Sequence, residues 1–447
     1  MPLSDRDVAE IRGHLSSIDH LLPAAILPDP GPTPPVPVSS PGALDRAILD
    51  AADGALIYLA PELIYEAPLI LRRSVHLIGY TTEVTSGRQT FDAPAARFLR
   101  GIATPGAGIT LAGLELWDRE PTHSIVENTG AANTVHRCRL LGDPVRGQRR
   151  GIAANGANGT YTQNYIGQCF ATNPGPWSDS QAICAWDTPG PIRIIDNYLE
   201  GSSEGIMIGG SDPSSSANDP ADVAILSNMI FKPLAWNVPG INCKNGIEFK
   251  NCRRFTVEDN DIVNSFGGHG QDGYFLVLNV RNQGGRNPTA SIQDGTISGN
   301  RFKHGPCAIN ILGIEDIKEL KAGMPTPIGT VRPSVRMRNI EISGNLFEDL
   351  DPAAWYDGTG APKLNMLIHG AENLSIVEND FQAPHGGYSS VIYFAAGPRF
   401  DNFVLTGNRW PRTTYGIFGT GVTVNAARDA GWKLYATGTL ASNTEVA

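Results

Sequence analysis

The sequence predicts an all-β chain, a single-stranded right-handed parallel β-helix that follows a short N-terminal α-helix and a proline-rich linker. Three observations lead there. A motif centred on one asparagine recurs eight times. Glycine and proline, at 50 and 33 of 447 residues, supply many turns and leave little room for long helices. The apolar runs are short and bounded by turn residues, as strands are.

The repeat carries most of the weight. TYTQNYI, RIIDNYL, AILSNMI, TVEDNDI, TISGNRF, EISGNLF, SIVENDF and VLTGNRW align on Asn164, Asn197, Asn228, Asn260, Asn300, Asn345, Asn379 and Asn408, at spacings of 29 to 45 residues. Three residues before the asparagine stand Ile194, Ile225, Val257, Ile297, Ile342, Ile376 and Leu405. Two residues after it stand Ile166, Leu199, Ile230, Ile262, Phe302, Phe347, Phe381 and Trp410. Asparagine tolerates the left-handed backbone of a sharp turn, and its amide can bond the same amide one coil away. The pattern resembles the repeat of pectate-lyase-like parallel β-helix proteins, which implies a solenoid of stacked coils.

The elements follow in order. Ser4 and Asp7 make a capping box, and Val8, Ile11, Leu15, Ile18 and Leu22 form a heptad stripe, so residues 1–25 read as an anchoring or self-association helix. Residues 26–42 are proline-rich and read as a semi-rigid spacer. Residues 43–54 read as a short helix with Leu44, Ile48 and Leu49 on one face, capping the open end of a β-helix that extends to residue 410. Residues 211–221, 313–334 and 351–363 read as insertions between repeats that wall a groove. Residues 411–447 depart from the repeat and read as a C-terminal β cap.

Composition narrows the function classes. A net charge of −10 argues against a nucleic-acid binder, which needs a basic face for phosphate. The six cysteines, Cys138, Cys169, Cys184, Cys243, Cys252 and Cys307, contain no CxxC pair and read as buried thiols. No apolar h-region opens the chain and no apolar run spans a membrane, so the expectation is a protein made without a signal peptide and with no membrane partner. No metal or other cofactor is expected.

The stretch from Asn245 to Asn282 is the expected floor of the site. Alternation along a strand puts Ile247 and Phe249 inward, with Glu248 and Lys250 outward. In the same way Leu276, Leu278 and Val280 point inward, with Asn279 and Arg281 outward. Hydrolysis of a glycosidic bond needs two carboxylates. Glu204, Glu248 and Asp272 follow successive asparagine turns and so fall in adjacent coils. As an enzyme the chain would work at Glu248, Glu204, Lys250 and Arg281; β-elimination would use Lys250 and Arg281 as base and charge neutraliser. Asp179, Gln181, Trp186, Asn279, Gln283 and Asp272 are the expected sugar contacts, Trp186 through its ring face. The alternative for each acid is a turn cap or an ion pair with Lys250, Arg254 or Arg281.

The blocks DSQAICAW, GPIRIIDNYLEGSSEGIMIGG, FKPLAW, NGIEFKNCRRFTVEDN and GQDGYFLVLNVRNQ resemble those of a family of uncharacterised bacterial right-handed β-helix proteins. That resemblance implies the fold and a shared polar site, and no particular reaction. Gly268-His269-Gly270 is similar to the GHG of polygalacturonase-type hydrolases, but the NTD, paired-Asp and RIK motifs of those enzymes are absent, as are the pectate lyase signatures. The order of heptad helix, proline-rich spacer and β-helix resembles the layout of spikes on phages and gene-transfer-agent particles. That layout implies a virion-surface protein, a homotrimer by preference, held to capsid or tail proteins by its N-terminal helix. Its β-helix would bind cell-surface polysaccharide. A depolymerase acting on the same glycan and a purely structural spike are the alternatives.

Overall fold

The computed structural model describes residues 37–79, 95–119, 121, 123–268, 271–282, 287–315, 334–357, 363–395, 397–419 and 431–446. The heptad helix and most of the spacer lie outside these residues. The strands fall into three sheets of 13, 13 and 12, and in each sheet every strand pairs with the one three places on. The pairing is parallel throughout: Asn245–Phe249 lies between Glu204–Ile208 and Tyr274–Asn279 in the third sheet. The chain is therefore a right-handed parallel β-helix, each coil giving one strand to sheets 1, 2 and 3 in turn. Phe255–Val257 belongs to the longer strand Cys252–Glu258 in sheet 1, while the two strands flanking it in sequence are direct neighbours in sheet 3.

The inward residues of the repeat make the core. Ile194, Ile225, Val257, Ile297, Ile342, Ile376 and Leu405 are buried on sheet 1, and their partners two residues past each asparagine are buried on sheet 2. Identical positions stack because parallel strands keep their register. Phe302 lies on Phe347 at 4.4 Å between ring centres, and Phe347 on Phe381 at 4.8 Å. All six cysteines are free and buried in this stack or beside it.

The asparagines form a continuous internal ladder at the corner between sheets 1 and 2. Both the backbone N–H and the Nδ2 of Asn228 donate to Oδ1 of Asn260, at 2.8 and 2.9 Å, and its Nδ2 also reaches the Ile194 carbonyl. The ladder starts at Cys138, whose N–H donates to Asn164, and ends at a ninth member, Asn443. Two expectations change here. The left-handed residue is not the asparagine but the one before it, from Gln163 and Asp196 to Gly299, Gly344 and Gly407. The tail is also a further coil of the same kind, with strands Ala436–Ala441 and Thr444–Val446 in sheets 1 and 2.

At the other end a helix, Pro41–Asp50, closes the solenoid. It starts two residues before the expected 43, because proline is well placed in a first helical turn. Leu44 is fully buried against the first coil, whereas Leu49, expected on the same face, is 66% exposed. Among the described residues no helix is long and apolar enough to cross a membrane.

Candidate functional site

Loop length sets where the site lies. Two residues separate sheet 1 from sheet 2 at Ser227–Asn228, but the next corner, from Phe231 to Asn245, holds thirteen. The sheet 2 to sheet 3 connections 170–180, 232–244, and 264–268 with 271–273 gather over one edge of sheet 3, while 186–191, 209–220, and 280–282 with 287–291 adjoin its other edge. The first group has a small core of its own. Phe170, Trp236, Cys243 and Phe266 are buried together, with the Phe170 and Trp236 rings 5.6 Å apart. Backbone bonds from Asn173 N–H to Gly240 O and from Asn242 N–H to Ala171 O tie the loops into one unit.

Beneath this unit the outward residues of sheet 3 fall into register columns. Arg150 pairs with Gln181, Gln181 with Glu204, and Glu204 with Asn245. Three positions along, Met207 pairs with Glu248. Gln181 Nε2 donates to Glu204 Oε2 at 2.8 Å. Asn245 Nδ2 donates to Glu248 Oε2 at 3.1 Å and to Gln271 Oε1 at 3.0 Å. Lys250 forms an ion pair with Glu248, and Lys244 with Asp179. Asp179, Gln181, Glu204, Glu248 and Lys250 are therefore brought into one cluster.

The electrostatics follow from burial. Glu204 is 3% and Glu248 1% exposed. Burial first, and then the neighbouring Glu248 carboxylate, push the Glu204 carboxyl up to about 8. Burial works against the Lys244 ammonium, but Glu204, Asp179 and Glu248 outweigh it and hold its pKa above the usual lysine value. Lys232 is buried beside the same strand, donating to Gly201 O at 2.9 Å and Asn245 O at 2.7 Å, and burial lowers its pKa to about 8. Two carboxylates in such different settings, one pushed toward its protonated form and one paired with an ammonium, form the kind of couple that acid–base cleavage uses. Among the described residues no three His, Cys, Asp or Glu side chains converge to hold a metal ion.

A cleft of about 390 Å³ opens beside the cluster, lined by Arg149, Arg150, Trp177, Asp179, Gln181 and Trp186 among others. A second cleft of about 510 Å³ shares Arg149, Arg150, Trp186 and Ser211 with it and runs on across the earlier coils. The Arg150 guanidinium lies over the Trp186 ring, 4.7 Å from its centre. Neither Glu204 nor Glu248 lines the clefts; Gln181, which bonds Glu204, is the link between them.

Other expected residues stand differently. Arg281 is turned to Glu315 at 2.7 Å and Lys250 to Glu248, so the base and neutraliser sketched for β-elimination are each held by a carboxylate. Asn279 points outward, as expected. Asp272 is exposed, and its carboxylate accepts from the Tyr356 hydroxyl at 3.4 Å, apart from the cluster. Gln283, and His269 and Gly270 of the GHG tripeptide, lie outside the described residues. Sequence reasoning missed Arg149, Arg150, Trp177, Lys232, Lys244, Asn245 and Gln271. Arg150 was within reach, since aligning GIAA with QAICA and EGIMI places it in the column of Gln181 and Glu204. Lys244 and Gln271 sit on non-repeating loops and carry no such signal.

No family model matches the chain, and no curated protein matches its sequence. Solved structures do resemble it. The Dettilon tailspike protein is 16% identical over 86% of this chain and 63% of its own, with a TM-score of 0.44. A family 6 polysaccharide lyase from Pseudopedobacter saltans is 14% identical over 92% of this chain and 97% of its own, with a TM-score of 0.45. A DFA-IIIase from Arthrobacter chlorophenolicus A6 is 14% identical over 86% of this chain and 89% of its own, with a TM-score of 0.42. The chain thus spans less than two thirds of the tailspike it resembles.

Proposed function

We propose that this chain is a glycan-binding spike whose groove over sheet 3 takes a cell-surface polysaccharide. The observation that carries the reading is the run of linked clefts lined by guanidinium, indole, carboxamide and hydroxyl groups. Sugars are recognised by such mixtures of flat aromatic surface and fixed polar groups. The heptad stripe and spacer of residues 1–42 support carriage on a particle, with the β-helix projecting from it. Immobilised bacterial surface polysaccharides are expected to retain the protein, and Trp186→Ala is expected to release it. Wild-type protein that passes every glycan unretained rules the reading out.

Cleavage of the bound glycan is the second reading, favoured by the raised Glu204 carboxyl beside the Lys250-paired Glu248. Glu204 would act as the acid and Glu248 as base or nucleophile, once the chain reaches them past the Asp179–Lys244 pair. Size-exclusion chromatography of the retained polysaccharide separates the two. Shortening that is lost in Glu204→Gln makes the chain a depolymerase; an unchanged profile with protein co-eluting leaves it a binder.

A further inference from the structure

Arg149 and Arg150 are adjacent and enter both clefts, and among the described residues neither lies within ion-pair distance of a carboxylate. This sets them apart from three other cations near the site. Lys244, Lys250 and Arg281 are each neutralised by Asp179, Glu248 and Glu315. The one hydrogen bond of Arg149 is weak, 3.4 Å to a His123 ring nitrogen, and the Asp179 and Glu127 carboxylates act on it only from beyond ion-pair distance. Arg150 lies over the Trp186 ring, and its Nε is buried with no hydrogen-bond partner. Two like charges side by side, one with an unused buried donor, is a costly arrangement on an acidic protein unless an anion completes it.

Resting on the glycan-groove reading, we propose that the Arg149–Arg150 cleft is a subsite for an acidic sugar unit, whose carboxylate or sulfate group is received by the two guanidiniums. A planar guanidinium pinned on an indole is pre-oriented for a two-pronged bond to either oxyanion. The carboxylate cluster at Glu204 and Glu248 lies in the following coils, so an acidic unit bound here would extend its neighbour along sheet 3 toward that cluster. The groove would thus set direction by charge: anionic substituents at the arginines, hydroxyls at the acids.

Affinity electrophoresis of the full chain through gels holding polygalacturonate, alginate, hyaluronate or dextran sulfate tests this, each run beside its carboxyl-reduced or unsulfated counterpart. At least one acidic polymer is expected to retard the protein by about tenfold more in apparent affinity than its neutral form, the scale of one charge-assisted hydrogen bond. Arg149→Gln/Arg150→Gln is expected to abolish that difference while unfolding at the wild-type temperature. Arg150→Lys, which keeps the charge and loses the planar stack, is expected to lose part of it. Preference for carboxylated over sulfated polymers identifies a uronate-type unit, and the reverse a sulfate ester. A double variant retarded as strongly as wild type overturns the subsite. So does retardation by neutral polymers alone, and when Trp186→Ala removes that retardation the groove reading survives. No retardation by any polymer overturns both.

Discussion

The two corners on either side of sheet 2 obey opposite rules. Where sheet 1 turns into sheet 2, the chain spends two residues per coil, and every coil from Asn164 to Asn443 repeats the same amide ladder. Where sheet 2 turns into sheet 3, lengths vary from nothing more than Pro306 between Gly305 and Cys307 to thirteen residues at 232–244 and fourteen at 351–364. The first corner is satisfied internally: each buried amide hydrogen has an acceptor one coil away. The second satisfies itself case by case, through the Phe170–Trp236–Cys243–Phe266 core and ion pairs such as Lys244–Asp179. Repetition builds a rod of uniform section. Departure from repetition makes a cleft, and the cluster of carboxylates lies beside it.

The comparison can be broken at the ladder, where the largest effect is expected. Asn260→Leu removes the acceptor for the N–H and Nδ2 of Asn228 and the donor to Ile225 O and Asn300 Oδ1. With buried polar groups left unmatched at 1–3 kcal/mol each, the loss should be about 4 kcal/mol, read from urea unfolding followed by tryptophan fluorescence. A loss below about 1 kcal/mol would mean that the corner tolerates a missing rung and that the ladder is not the scaffold's main polar support.

Trp236→Ala probes the second corner. Truncating a buried tryptophan costs about 3 kcal/mol where the cavity does not collapse, and here the cost should fall on the loops. The expectation is limited proteolysis within 170–180 and 232–244 at denaturant levels where the solenoid still resists, together with weaker glycan retention. Uniform loss of both regions would show that the loop core and the solenoid unfold as one unit.

The carboxylate cluster beside the second corner is probed through its pH response. Glu204 has a folded pKa raised to about 8, above its unfolded carboxylate value. Between those two values the folded state holds a proton that the unfolded chain has released, so stability falls as pH rises through that window. Glu204→Gln cannot ionise. Its stability relative to wild type should therefore improve from pH 5 to pH 8, measured by urea unfolding at each pH. An equal difference at both values would show that Glu204 is ionised in the folded protein.

Much of the fold was legible in the chain because its period is physical. One asparagine with an apolar residue three before and two after must recur once per coil if identical positions are to stack, and so eight of nine rungs were visible. The ninth, Asn443, was hidden by a single trait: Glu445 stands two residues after it, where the other rungs carry a large apolar side chain. The left-handed position was misplaced by one residue because asparagine and its predecessor share turn chemistry, and only backbone torsions tell which of them bends.

For the site, alternation alone turned Glu248 and Lys250 outward, and repeat alignment placed Glu204 one coil before Glu248. The partners were another matter. Lys244 meets Asp179 across 65 residues, Arg281 meets Glu315 across 34, and Arg150 stacks on Trp186 between coils. The sequence by itself determined the coils, the core and the face on which polar groups emerge, since these depend on periods of two along a strand and one asparagine per turn. Tertiary structure alone decided which charges neutralise each other and which arginines are left without a carboxylate. Those pairings are made by loops of irregular length, whose ends the solenoid fixes but whose paths no periodicity encodes.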